Sequence, residues 1–125
     1  MTAQRTPSPR TQPATDTLLP RPDRTTAALR AAVARLAPAR LPEMERQMEE
    51  ALSLAARTGS LSPLTAFLES WAVAMEIARV PSSADRLREA EYAARSAAPG
   101  SPEWRSAMEA IGAVQGEARR ALAEG

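Results

Sequence analysis

The stretch SPLTAFLESWAVAMEIARV, residues 62–80, decides the fold because it predicts one helix that is apolar on two sides. The pair Ser62-Pro63, a hydroxyl cap before a first-turn proline, marks its start, and Pro81 ends it near Arg79. One sector of this helix contains Leu64, Phe67, Leu68, Trp71, Met75 and Ala78. The opposite sector contains Ala66, Val73, Ile77 and Val80. A helix with this pattern lies at the centre of a bundle or is covered by another chain.

Four further helices are predicted from prolines, glycines, hydroxyl caps and apolar spacing, and they cover residues 24–37, 42–59, 84–97 and 102–123. Ser101-Pro102 repeats the start signal of Ser62-Pro63, and Ser82 or Ser83 is the expected cap of the fourth helix. Short connections favour antiparallel neighbours. The predicted fold class is therefore all-α: an up-and-down bundle of four principal helices plus a short N-terminal helix.

The chain is expected to divide into a tail, residues 1–23, and a helical bundle domain, residues 24–125. The tail is rich in Pro, Thr and Arg, with prolines at positions 7, 9, 13, 20 and 22, and it has few large apolar side chains. Such a composition predicts disorder with polyproline II character. We therefore expect residues 1–22 to contribute little to the stability of the bundle.

The composition excludes most catalytic chemistry, because the chain has neither cysteine nor histidine. It lacks the commonest zinc, copper and iron ligands, the commonest general base and any thiol nucleophile. Glutamates cluster on two helices at positions 43, 45, 49, 50, 89 and 91, but they alternate with arginines as on solvated helix faces. The prediction is a protein that is not an enzyme and binds no cofactor or metal.

The charge distribution argues against nucleic acid and membranes as partners. The formal net charge is +1, and all sixteen basic residues are arginine. A nearly neutral folded part creates no strong field for phosphates. The first thirty residues contain no apolar run longer than Ala27-Ala28-Leu29, so we expect no signal peptide, no membrane segment and a cytoplasmic location.

Two groups of residues are candidate interfaces. The first is the strip of Val73, Ile77 and Val80, because the fourth helix offers mainly alanines to cover it. In the alternative interpretation, this strip is part of the core of a monomer. The second group, on the fourth helix, is Arg88, Tyr92 and Arg95.

The leading hypothesis is a non-enzymatic protein-binding or regulatory module whose partner is another protein or a second copy of the chain. The alternative is a nucleic-acid-associated regulator that uses arginines of the fourth helix and the tail.

Two further features concern packing. Trp71 and Trp104 each occupy the main apolar sector of their helix, so both are expected to anchor the core. Gly112 and Gly116 lie four residues apart, which would suggest close helix pairing in lipid. In water we interpret them as two tolerated glycines.

Four segments also resemble a family of short uncharacterised proteins common in streptomycetes and related actinobacteria. These segments are residues 28–38, 41–44, 67–71 and 86–91, and the resemblance spans roughly Ala28 to Arg120. The family has no assigned activity, so the resemblance transfers no site residue. Some similar small proteins are encoded beside toxins, which implies an antitoxin-like role as an expectation.

Overall fold

The structure, a computed structural model, describes residues 18–125 and contains five α-helices and no strand within that range. The helices are α1 (Thr26–Leu36), α2 (Leu41–Thr58), α3 (Ser62–Ala78), α4 (Pro81–Ser96) and α5 (Pro102–Glu124). A 3-10 turn, Pro38–Arg40, joins α1 to α2. The predicted fold class, four principal helices after a short N-terminal one, is confirmed.

Two helix starts carry a side-chain cap. The Oγ1 of Thr25 accepts a hydrogen bond from the amide of Ala28 at 3.1 Å, and the Oγ of Ser101 accepts one from Trp104 at 3.1 Å. At the end of α2, Gly59 adopts a left-handed conformation with φ 72°, which a residue without a Cβ adopts most easily. The predictions for Ser101 and Gly59 are therefore confirmed.

The predicted starts of α3 and α4 need correction. Ser62 is the first residue of α3 rather than its cap, and Leu61 occupies the cap position without a side-chain hydrogen bond. Helix α4 begins at Pro81, three residues before the predicted Ala84, so neither Ser82 nor Ser83 stands at the cap. The reason is Val80, which is extended (φ −114°, ψ 105°) because it precedes a proline, and the fixed φ of proline then begins the helix.

Helix α3 is central, because every other α-helix packs against it. The backbones of α1 and α2 do not come close to those of α4 and α5 within the described residues. The core is therefore divided by α3 into two clusters. The first cluster, formed with α1 and α2, contains Leu29, Val33, Met44, Ala51, Phe67, Trp71, Ala72 and Met75. The second cluster, formed with α4 and α5, contains Ile77, Val114 and Ala118, with Val73 and Leu87 packed against it.

Trp71 anchors the first cluster, as predicted. It is 1% exposed, and its Nε1 donates a hydrogen bond to Oε1 of Gln47 at 2.9 Å. The guanidinium of Arg40 lies 4.5 Å from the ring centroid and covers the outer side of the ring. Trp104, by contrast, is only half-buried and belongs to neither cluster, so its predicted role as a core anchor is wrong. The α5 residues that do join a buried cluster lie farther along the helix, at Val114 and Ala118.

The segment before α1 is held against the end of α3 by a buried carboxylate. Glu76 is 5% exposed and accepts hydrogen bonds from Nε and Nη2 of Arg21 at 2.8 and 3.0 Å. Arg79 donates to the same carboxylate at 2.9 and 3.3 Å, and its Nη1 donates to the carbonyl of Leu19 at 2.6 Å. The amide of Leu19 in turn donates to the carbonyl of Arg79 at 3.2 Å.

These contacts correct the expected boundary of the bundle. Leu19 and Arg21 lie within the predicted tail, residues 1–23, yet both are bonded to α3. Residues 1–17 lie outside the described residues. Removing residues 1–22 would delete Arg21 and leave the buried carboxylate of Glu76 with one partner fewer. We therefore expect this deletion to lower the stability of the bundle.

The two tryptophans should differ in their contribution to stability. We predict that Trp71→Ala lowers the free energy of unfolding by about 3–5 kcal/mol, because the substitution leaves a cavity in a closed cluster. Trp104→Ala, a matched control of the same chemistry, should cost less than half as much, because this side chain already meets solvent. Denaturant unfolding monitored by circular dichroism measures both changes. Equal losses for the two variants would contradict the division of the core.

The clamp on Glu76 predicts a pH dependence of stability. Burial by itself would raise the pKa of Glu76, but the hydrogen bonds from Arg21 and Arg79 outweigh it and hold the pKa below its usual value. A lowered pKa in the folded state means that the stabilisation is present above the unfolded pKa, about 4.3, and is lost as the pH falls through the folded pKa.

We therefore predict that Glu76→Gln destabilises the protein by about 2 kcal/mol at pH 7, because charged hydrogen bonds to a buried acceptor are weakened. The difference from the wild type should begin to shrink as the pH falls below the unfolded pKa, about 4.3, and should be lost only below the lowered pKa of the folded state. Glu69→Gln, on the same helix but exposed, is the control and should change stability little. A difference between Glu76→Gln and wild type that stays constant from pH 7 to pH 3 would contradict this role for the clamp.

Candidate protein-binding cleft

A cleft of about 670 Å³ opens along the side of α3 that carries the second apolar sector. Its apolar lining comes from three helices and consists of Ala66, Val73, Ala74, Ile77, Leu87, Leu122 and Ala123. Its polar lining consists of Arg24, Arg40, Glu69, Ser70, Glu91, Gln115 and Arg119. The cleft exists because α1 and α2 pack on one side of α3 and the α4–α5 pair packs on another, so neither pair covers the whole helix.

The structure separates the predicted strip of Val73, Ile77 and Val80. Ile77 is 4% exposed and packs against Val114 and Ala118, so α5 supplies the cover that the alanines of α4 could not. Val73 is half-buried and lines the cleft. Val80 is also half-buried, but it forms the cap of α4 and lies outside the cleft. Val73 and Ile77 thus both lie at the cleft, but Ile77 is buried in the second cluster.

The second predicted group lies on α4, away from the cleft. Tyr92 is 68% exposed, and Arg88 and Arg95 are exposed as well. Arg88 pairs with Asp85 one turn earlier. No residue of this group lines the cleft, and the guanidinium–ring contact found within residues 18–125 is Arg40 on Trp71 rather than one on Tyr92.

The basic charge of α4 is further reduced by a pair to α5. Nη1 and Nη2 of Arg86 donate hydrogen bonds to the two carboxylate oxygens of Glu117 at 2.8 and 3.0 Å. These bonds hold the pKa of Glu117 below its usual value. With Arg88 bound to Asp85, two arginines of the fourth helix already face carboxylates. On α4, Arg95 is then the arginine that forms no ion pair in the described part of the chain.

The rim of the cleft carries charges of both signs. Arg24 lies 3.8 Å from Glu69, and Arg40 donates to Glu43 at 3.0 Å. This hydrogen bond is the main reason that the pKa of Glu43 is lowered. A mixed rim around an apolar floor is suited to a protein segment with apolar side chains flanked by both acids and bases.

The polar groups in the cleft are guanidinium groups, carboxylates, one amide and one hydroxyl. Ser70 is the hydroxyl in the lining, and the sequence offers no imidazole or thiol to activate it. Among residues 18–125, no cluster of three or more acidic side chains is placed to hold a metal ion. Apolar side chains from three helices instead form a floor that would gain free energy from being covered.

The apolar surface continues from the cleft along α5. Trp104, Met108 and Ile111 follow one another at spacings of four and three, and the same line continues through Gln115 and Leu122 in the cleft. Met108 is 43% exposed, and Trp104 and Ile111 are half-buried. The main apolar face of α5 is therefore closed at Val114 and Ala118 and partly open towards its beginning.

Sequence reasoning missed most residues of this cleft. Ala66 was placed in the second apolar sector of α3, and Leu87 and Leu122 are members of helical stripes, but Arg24 and Arg119 carried no signal. Spacing along a helix shows which residues share a face. It does not show where two faces from different helices diverge.

Comparisons with known proteins give one match. The model of a family described as a family of unknown function, DUF6247, matches residues 18–121. No curated protein and no solved structure matches the chain. Within residues 18–125, none of the helices combines the length and apolar content needed to cross a bilayer.

The different environments of Val73 and Ile77 can be tested by placing a charge at each. We predict that Ile77→Glu prevents cooperative folding, because it would bury an unpaired carboxylate in the second cluster. Val73→Glu should keep the helical spectrum and cooperative melting, since its side chain can extend into the open cleft. Thermal unfolding of the two variants, monitored by circular dichroism, shows which of them still folds cooperatively. Comparable unfolding of both would mean that no cleft is open at Val73.

Proposed function

We propose that this chain, which belongs to the DUF6247 family of unknown function, is a non-enzymatic protein-binding module that holds an apolar segment of a partner in the cleft. The observation that carries the proposal is the open floor beside Val73, Leu87 and Leu122, which remains accessible although both core clusters are closed. Contiguous exposed apolar surface is uncommon on a protein that acts alone.

The shape of the surface supports a helical partner segment. The cleft and the apolar line of α5 form one elongated surface from Leu122 to Trp104, and an amphipathic helix presents its apolar residues along a line of that kind. The charged side chains at the rim, Glu91 and Arg119, form no ion pair within the described part of the chain. Both are therefore available to select a partner by charge.

The finer parts of the proposal rest on the sequence. An antitoxin-like role, with a toxin as the bound protein, follows from the resemblance to small proteins encoded beside toxins. An actinobacterial origin follows from the same resemblance, and a cytoplasmic site of action is part of the same proposal. The alternative of a nucleic-acid regulator has less support, because Arg86 and Arg88 are paired with carboxylates.

We predict that filling the cleft removes the partner without unfolding the protein. Ala66 is exposed and lines the cleft, so Ala66→Trp should block the floor while leaving both clusters intact. Ala56→Trp adds the same bulk at an exposed position of α2 outside the cleft and serves as the matched control. The measurement is affinity purification of each tagged protein from its own host after a high-salt wash, with identification of the retained proteins.

A protein retained by the wild type and by Ala56→Trp, but lost with Ala66→Trp, is the expected outcome. Titration calorimetry with that purified protein should then show binding weakened by at least about tenfold for Ala66→Trp. Identical retained proteins for all three chains would contradict the use of the cleft. Nucleic acid that is retained in a parallel low-salt wash and released steeply as the salt concentration increases would favour the alternative function.

A further inference from the structure

We propose that the chain forms an antiparallel two-fold dimer through the exposed face of α5, with a second copy of itself as the occupant. This inference goes beyond the proposed function, because it does not require a partner in the cleft. It rests on the arrangement of charge about one point of α5 and on the open space in front of that point.

The centre of this face is a line of four residues. Arg105, Gly112, Gly116 and Ala123 lie one above another, at relative positions i, i+7, i+11 and i+18. Three are exposed, and Gly116 is half-buried. Within residues 18–125, the backbone of α5 approaches only α3 and α4.

The space in front of the line is free. A Cβ atom added at Gly112 would meet no other group within 4 Å, and one added at Gly116 would meet only the end of the Arg120 side chain, at 3.6 Å. A second helix can therefore approach this part of α5 closely, at about the 8 Å interaxial distance that small contact residues allow.

The charges beside this line select the second copy and its direction. Glu109 and Arg120 lie on one flank of the line, and both are exposed without an ion pair in the described part of the chain. In an antiparallel pair related by a two-fold axis, the same flank of each helix meets. With the axis midway between Gly112 and Gly116, Glu109 of each copy lies opposite Arg120 of the other.

The other flank agrees with the same register. It carries Met108, which is 43% exposed, and Arg119. The two-fold axis places Met108 beside Arg119 of the second copy, where the apolar stem of the arginine can cover the methionine. In a parallel pair the opposite flanks would meet, with every residue level with its own copy, so Arg120 would lie beside Arg119 of the second copy and the Glu109–Arg120 pairs would be lost. Charge therefore favours the antiparallel dimer.

Cross-linking tests the register directly, because the chain contains no cysteine and an introduced thiol is unique. Arg105→Cys and Ala123→Cys lie opposite each other in the proposed dimer, but each lies about 27 Å from its own copy, at 1.5 Å per residue. A mixture of the two full-length variants, tagged differently, should form the mixed disulfide, and neither variant alone should cross-link. Efficient cross-linking of either variant with itself would overturn the antiparallel register.

Charge reversal tests the energetic argument by sedimentation equilibrium. Glu109→Arg and Arg120→Glu should each weaken the dimer by about tenfold, because two attractive pairs become repulsive. The double variant should recover most of the wild-type affinity. Glu49→Arg, an exposed reversal on α2, is the control and should leave the affinity unchanged.

Three further results would overturn the proposal. These are a wild-type chain that sediments as a monomer at every concentration, a double variant as weak as the single ones, and an equal loss of affinity in the Glu49→Arg control. Circular dichroism melts confirm that each variant is folded, and all substituted positions are exposed. Failure of the dimer leaves the cleft experiment unaffected, since Ala66 is on α3 and takes no part in this contact.

Discussion

Burial of α3 on two sides is the constraint that organises this protein. A helix with apolar side chains in opposite sectors gains most when separate elements cover each sector, and here α1 and α2 cover one while α4 and α5 cover the other. Trp71 fixes the first side, since it is fully enclosed and its one polar atom is satisfied by Gln47. Ile77 fixes the second side through Val114 and Ala118. The backbones of the two outer pairs do not come close to each other, so the position of each depends mainly on α3, although Leu122 of α5 also packs against the first cluster.

Electrostatics adds a constraint at the end of α3. A buried carboxylate is costly unless it is paired, and Glu76 is paired twice, with Arg79 one turn away and with Arg21 from the segment before α1. Arg79 also binds the carbonyl of Leu19, so the same group of residues satisfies both side-chain and backbone atoms. The extended segment is thereby held on the bundle by polar contacts rather than by apolar burial.

The cleft is a direct consequence of the divided core. Between the two sides of α3, half-buried apolar residues such as Val73 and Leu122 line the cleft, and charges of both signs surround them. This surface is the basis of the proposed protein-binding function. The exposed face of α5, with its opposite charges at Glu109 and Arg120, adjoins the elongated surface of the cleft and the apolar line of α5 and shares Met108 and Arg119 with it. The pair of α4 and α5 thus carries both the proposed cleft wall and the proposed contact between copies.

The sequence by itself determined the helices, their order and the fold class, because prolines, glycines and apolar spacing act within a few residues of one another. It also determined which chemistry is missing, since the composition contains no thiol or imidazole. Only the tertiary structure decided that Trp104 lies outside the core, that Arg21 reaches Glu76 across 55 positions, and that Val73 and Ile77 have different environments. The physical reason is that helical periodicity shows which side chains share a face, whereas the meeting of two faces depends on packing between distant segments.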